Sequence, residues 1–92
     1  MLVWPERVEA WPVREASAVT AASLQPVRDA EEGTQILLVG CGRAFVPPPE
    51  GLSQAVREMG LSLEWMDTGA ACRTFNVLLA EERPVAAALI AV

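Results

Sequence analysis

Cys72 and Arg73 stand together at the start of a helical pattern, just behind the turn Asp67, Thr68, Gly69. A thiol near the head of a helix with a guanidinium beside it sits in an electropositive setting that favours thiolate, the nucleophilic form. A second grouping, Gly40, Cys41, Gly42 and Arg43, follows an aliphatic run and opens a proline-rich stretch. Glycine at 40, 42 and 69 lets backbone approach a bound group closely. The N–H groups of residues 69–71 would face outward with the positive end of a helix dipole behind them, and Arg43 and Arg73 would add full charges. Together these residues describe an anion-binding crevice. The plainer and preferred reading is a pair of tight turns, with Thr68 capping a helix, Asp67 bonding the backbone of its own turn and both arginines solvated.

Two further residues pose the same choice. Cys72 shares an apolar stripe with Phe75 and Leu79, which points to a small buried core residue rather than a reactive thiol. Asn76, mid-helix among apolar neighbours, is either a hydrogen-bonded buried amide or a group that reaches the crevice. The Gly40-Cys41-Gly42 sequence resembles the opening of a dinucleotide fingerprint, but the third glycine is missing and prolines replace the helix that should follow at once, which argues against a nucleotide cofactor.

Composition narrows the chemistry further. The chain has no His, Lys or Tyr, so the usual groups for proton transfer near neutral pH, Schiff-base formation and metal capture are missing. We expect no metal and no cofactor. Twelve acidic residues against seven basic give a net charge of −5, and the arginines are scattered, which disfavours a nucleic-acid partner. The two cysteines lack the spacing of a disulfide framework or a zinc site. The longest apolar run, residues 84–92, is about half the roughly 20 residues of a membrane span. Charged residues and Pro5 interrupt the first dozen positions, so no secretory leader is read there, and a cytoplasmic location is expected.

The elements that would position these groups follow from pattern. At 92 residues, 52% hydrophobic but only 5% aromatic, the chain reads as a single domain over 1–92 with an aliphatic core. Residues 2–4 and 8–13 read as peripheral or edge strand, with Trp4 and Trp11 covering one end of the core. Residues 17–32 read as a helix capped at Ser23, with Pro26 in its first turn and Gly33 as its stop. The run Ile36, Leu37, Leu38, Val39 has the continuous apolarity of a parallel strand buried on both faces. A second helix from near Pro49 places Leu52, Ala55, Val56 and Met59 on one face and ends before Gly60. An alternating strand over 61–66, a third helix from Thr68 and a closing apolar strand over 85–92 complete the pattern. Strands separated by helices predict an α/β fold: three layers, a mixed central sheet with largely parallel βαβ units, and about three helices. In such a sheet the loops 40–49 and 66–74 would leave neighbouring strand ends and meet.

The stretches Ile36-Leu37-Leu38-Val39-Gly40-Cys41-Gly42, Pro47-Pro48-Pro49, the run from Met66 to Leu78 and Val85-Ala86-Ala87-Ala88-Leu89 resemble one small family. It is the α/β domain-of-unknown-function family shared by bacterial proteins, the adipogenesis-associated domain protein and the mitochondrial complex I assembly factor three. The resemblance implies the three-layer fold and, from the mitochondrial members, help in assembling the membrane arm of NADH dehydrogenase through protein contacts, with no established reaction. It also implies that the loops at 40–42 and 67–76 carry the family's site. Members usually begin with a glycine-rich hairpin ahead of the segment matching residues 2–11, and this chain lacks it. The expectation that follows is a bare sheet edge, leading to a homodimer, or a shortened product of a longer protein.

Overall fold

A computed structural model describes residues 1–92. Its sheet has five strands: β1 (Leu2–Trp4), β2 (Arg7–Glu9), β3 (Ile36–Gly40), β4 (Ser62–Met66) and β5 (Val85–Leu89), in the spatial order β2-β1-β5-β3-β4. The strand β3 runs parallel to β4 and to β5, whereas β1 is antiparallel to both β2 and β5. Helices α1 (Gln25–Asp29), α2 (Leu52–Glu58) and α3 (Thr68–Ala80) complete a three-layer α/β fold.

Handedness distributes the helices. The connection β3-α2-β4 steps outward along the sheet, and β4-α3-β5 steps back across β3. Right-handed crossovers in opposite directions must lie on opposite faces. Side-chain alternation along the strands agrees: Leu37, Val39, Ala86 and Ala88 join the layer of α1 and α2, whereas Leu38, Val85 and Ala87 pack with Phe75 of α3. The alanines of β5 leave volume that the buried Trp4 and Trp11 occupy on the first of these faces, as close packing requires.

The expected helix over 17–32 is absent. Two short 3₁₀ turns, Ala16–Ala18 and Ala22–Leu24, precede the five-residue α1. Ser23 does not cap it. The hydroxyls of Thr20 and Ser23 instead accept from each other's backbone N–H at 3.1 and 2.9 Å, giving the chain a local alternative to the helical ladder. Pro26 has no N–H to donate, so it stands in the first turn and regular helix begins around it. Helix α2 also starts later than expected, at Leu52, behind Gly51 in the left-handed region at φ 81°. The apolar segment at the start of the chain and its successor form a hairpin around Pro5 and Glu6, so the strand expected over 8–13 starts one residue earlier and is shortened to Arg7–Glu9.

Arg7 holds this hairpin to the α1 layer. Its guanidinium lies 3.7 Å from the Trp4 ring centre, contacts Glu9, and donates from Nε to Glu32 Oε1 at 2.6 Å. The hydrogen bond from Arg7, and then its charge, hold the Glu32 carboxyl below its ordinary value of 4.5. A carboxyl depressed in the folded state contributes stability above its unfolded value and loses it as pH falls through the folded one. Glu32→Gln should therefore lower the melting temperature slightly at pH 7, with the difference from wild type closing below pH 4.5. A difference that stays constant from pH 7 to pH 3 would contradict this.

Candidate functional site

The loop after β3 leads to α2 on one face, and the loop after β4 leads to α3 on the other. Diverging loops from adjacent parallel strands mark the place where open α/β sheets bind ligands. As the sequence predicted, the loops meet there. They meet in direct contact. Cys41 N–H donates to Met66 C=O at 2.8 Å and Thr68 N–H to Gly42 C=O at 2.9 Å, carrying the ladder past both strand ends.

Thr68 closes the gap. It is 6% exposed, and its Oγ1 accepts from Gly42 N–H at 3.0 Å while donating to Ile90 C=O at 2.7 Å. Ile90 N–H in turn donates to Gly40 C=O at 3.0 Å, so a single hydroxyl ties the ends of β3, β4 and β5 together. This crossing requires glycine at 40. A Cβ there would lie 2.8 Å from Thr68 Cα, 2.9 Å from its Oγ1 and 3.1 Å from Leu89 Cδ2.

The helix cap is therefore one residue earlier than expected. Asp67 is extended and its carboxylate accepts from Ala70 N–H at 2.9 Å, while Thr68 is the first helical residue and its hydroxyl serves the tertiary bridge. Nothing in local pattern separates these two roles, because both Asp and Thr cap helices well.

The remaining predicted site residues take different positions. Gly42 is buried at φ 119°. Gly69 lies beside Arg73, whose Nη1 would be 3.5 Å from a Cβ at that position. Arg43, Cys72, Arg73 and Asn76 are exposed. Two readings are thereby corrected: Cys72 is not a core residue and Asn76 is not a buried amide. The α3 stripe that meets the sheet is Ala71 and Phe75 with partial help from Leu78, and Cys72, one step round the helix, turns to solvent. Thr68, Gly69, Cys72 and Arg73 line none of the five main recesses. No group of three His, Cys, Asp or Glu is placed to hold a metal ion.

The two thiols should consequently differ. Cys72 is exposed, whereas Cys41 is 5% exposed with its sulfur 3.7 Å from Ala44 C=O. Alkylation of the native protein at neutral pH should modify Cys72 promptly and Cys41 only with denaturant. Equal rates in the native state would contradict the placement.

The sequence points to the loop 40–49 as part of a contact but does not single out Phe45 or Val46 within it. Trp65 Nε1 donates to Val46 C=O at 2.7 Å, which pins the loop and leaves Phe45 59% and Val46 41% exposed. Beside them a recess of about 510 Å³ is lined by Ala16, Ser17, Cys41, Val46, Pro47 and Pro49.

Comparison with known proteins accords with the fold and places the chain. It is 33% identical over 88 residues to the Xenopus tropicalis NADH dehydrogenase [ubiquinone] 1 alpha subcomplex assembly factor 3, covering 96% of this chain and 48% of that protein. The chain thus spans about half the length of the curated relatives it matches. A solution structure from Rhodopseudomonas palustris superimposes with a TM-score of 0.85 at 40% identity, covering 99% of this chain and 67% of the other. A crystal structure from Bartonella henselae, described as an outer membrane protein, gives a TM-score of 0.85 at 36% identity, covering 99% and 76%. The family model described as "Protein of unknown function (DUF498/DUF598)" matches residues 1–90, and the chain belongs to that family.

Proposed function

We propose that the chain is a non-enzymatic protein-binding module that assists the assembly of a respiratory or membrane complex. Its contact surface is the loop 43–49 with the exposed side of early α3: Arg43, Gly69, Cys72, Arg73 and Asn76 around the junction of Gly40, Gly42, Asp67 and Thr68. The observation that carries this reading is the junction itself. Where an α/β ligand site would open, Thr68 Oγ1 occupies the gap, and the loop that leaves it exposes Arg43 and the apolar pair Phe45 and Val46. An apolar anchor flanked by arginine is the composition of a protein contact. The names of the curated relatives as assembly factors support the same role. A cytoplasmic location fits its two free cysteines, and no helix is long and apolar enough to cross a membrane.

The test is complementation. Removing the gene from the source cell should deplete the intact respiratory NADH dehydrogenase on native gels, and the wild-type chain should restore it. A folded Phe45→Asp, Val46→Asp variant should fail to do so. Normal complex without the gene would refute the assembly role, and full rescue by the double variant would refute the loop as contact.

A second reading has one observation in its favour. The exposure of Cys72 beside Arg73 suits a thiol-dependent or small-anion site shared with Arg43. In that case Cys72→Ser alone would abolish complementation, whereas the assembly reading expects it to be retained, because Ser keeps the size of the side chain in a contact surface and removes only the thiol chemistry.

A further inference from the structure

The outer strand β2 has backbone groups without partners. Met1 and Leu89 exchange two backbone bonds, at 2.9 and 2.8 Å, so alternation along the antiparallel ladder turns Val3 toward β5 and turns Leu2 and Trp4 toward β2. Leu2 and Trp4 face Glu9 and Arg7, and Val8, which lies opposite Val3, therefore directs its N–H and C=O out of the sheet. Its side chain is 59% exposed on the α3 face, where β1 and β2 lie beyond the helix.

The residues flanking Val8 determine what fits this edge. A twofold axis at Val8, pairing β2 antiparallel with a second β2, sets Val8 against Val8 and each Arg7 against a Glu9 of the other copy. The first pair would exchange two backbone bonds. The second would be non-hydrogen-bonded pairs, whose side chains approach most closely. The sequence Arg7-Val8-Glu9 is thus self-complementary in charge on one face and apolar on the other. Neither Lys nor Pro within the strand guards it. The opposite edge, β4, carries Glu64 as its only charge, so a self-pair there gains no ion pair.

We propose that a second copy of this chain is the partner of β2, joined antiparallel about Val8 into one continuous ten-stranded sheet. Pro5 and Pro12 limit the pairing to the residues between them. So short a contact falls below the roughly 1,200 Å² of a standard interface, which makes the association weak and concentration-dependent.

Sedimentation equilibrium of the whole chain tests it. The weight-average mass should rise from monomer toward dimer as concentration increases into the millimolar range. Val8→Pro removes the outward donor and should abolish the rise. Glu9→Lys and Arg7→Glu, each checked for folding by circular dichroism, should each be monomeric because like charges then face one another. Their equimolar mixture should associate again, since one variant then carries two cations on this strand and the other two carboxylates, and every cation meets a carboxylate across the axis. A wild-type monomer at all concentrations would overturn the proposal, as would association indifferent to Val8→Pro or a mixture that stays monomeric.

Discussion

Thr68→Val should destabilise the protein by about 3 kcal/mol, because it keeps the shape of the side chain but leaves the buried Gly42 N–H and Ile90 C=O without partners. For a domain of this length that is a fall in melting temperature of roughly 15 °C. Thr68→Ser retains the hydroxyl and forfeits one methyl, so its cost should stay near ~1 kcal/mol. Thermal unfolding of the three proteins decides the matter: a Val protein about as stable as wild type, with the larger loss falling on Ser, would mean that packing of the methyl, and not the bridge, holds the junction.

Gly40→Ala is the second large effect. The added methyl would meet Thr68 Cα at 2.8 Å, and Cα is backbone that cannot rotate away. Overpacking of a well-filled interior costs about 1–3 kcal/mol, and we expect the upper end here because three strands converge on the position. Trimming the neighbour with Thr68→Ala removes the contact at Oγ1 but not the one at Cα, so it should relieve little of the penalty. Gly42→Ala is a contrasting case: nothing lies within 4 Å of a Cβ there, and its cost would come from φ 119° alone. Chemical denaturation measures both, and a Gly40→Ala protein as stable as wild type would show that β3 and α3 do not cross closely.

Much of this arrangement is legible without coordinates. The two continuous apolar runs at 36–39 and 85–92 read as strands buried on both faces, which implies a parallel sheet with helices on either side and brings the loops 40–49 and 66–74 together; the second strand is observed over Val85–Leu89. The N-terminal third misleads for a local reason. Alanine-rich sequence with Ser23 ahead of Pro26 has the pattern of a capped helix, yet Thr20 and Ser23 satisfy each other's backbone and leave only short turns. Cys72 looks like a core residue because it extends an apolar stripe, whereas the contact with the sheet is narrower than the stripe. The function of Thr68 is invisible in sequence for a different reason. Its partners, Gly42 and Ile90, are 26 and 22 residues away in sequence, and only the sheet order makes β5 the strand on the far side of β3.

The junction also accounts for why glycine stands at both ends of the β3 loop's first turn. Gly40 lets the backbone of α3 pass over the strand, and Gly42 adopts the positive φ that turns its N–H back toward Thr68. The loop is then released outward, with Val46 fixed by Trp65 and Phe45 left facing solvent. A rigid base carrying an exposed apolar loop suits recognition of a partner protein, because less ordering is required when the partner arrives.

The amide exchange rate of Gly42 tests the closed junction most directly. If Thr68 Oγ1 accepts from that N–H, exchange in the wild-type protein should be at least about a hundredfold slower than at the exposed Ala44 and Phe45, and Thr68→Val should abolish the difference while Leu38 on β3 stays protected. Exchange at Gly42 as fast as at Phe45 in the wild-type protein would mean that the strand ends stand open and that a ligand crevice, not a sealed contact surface, lies between them.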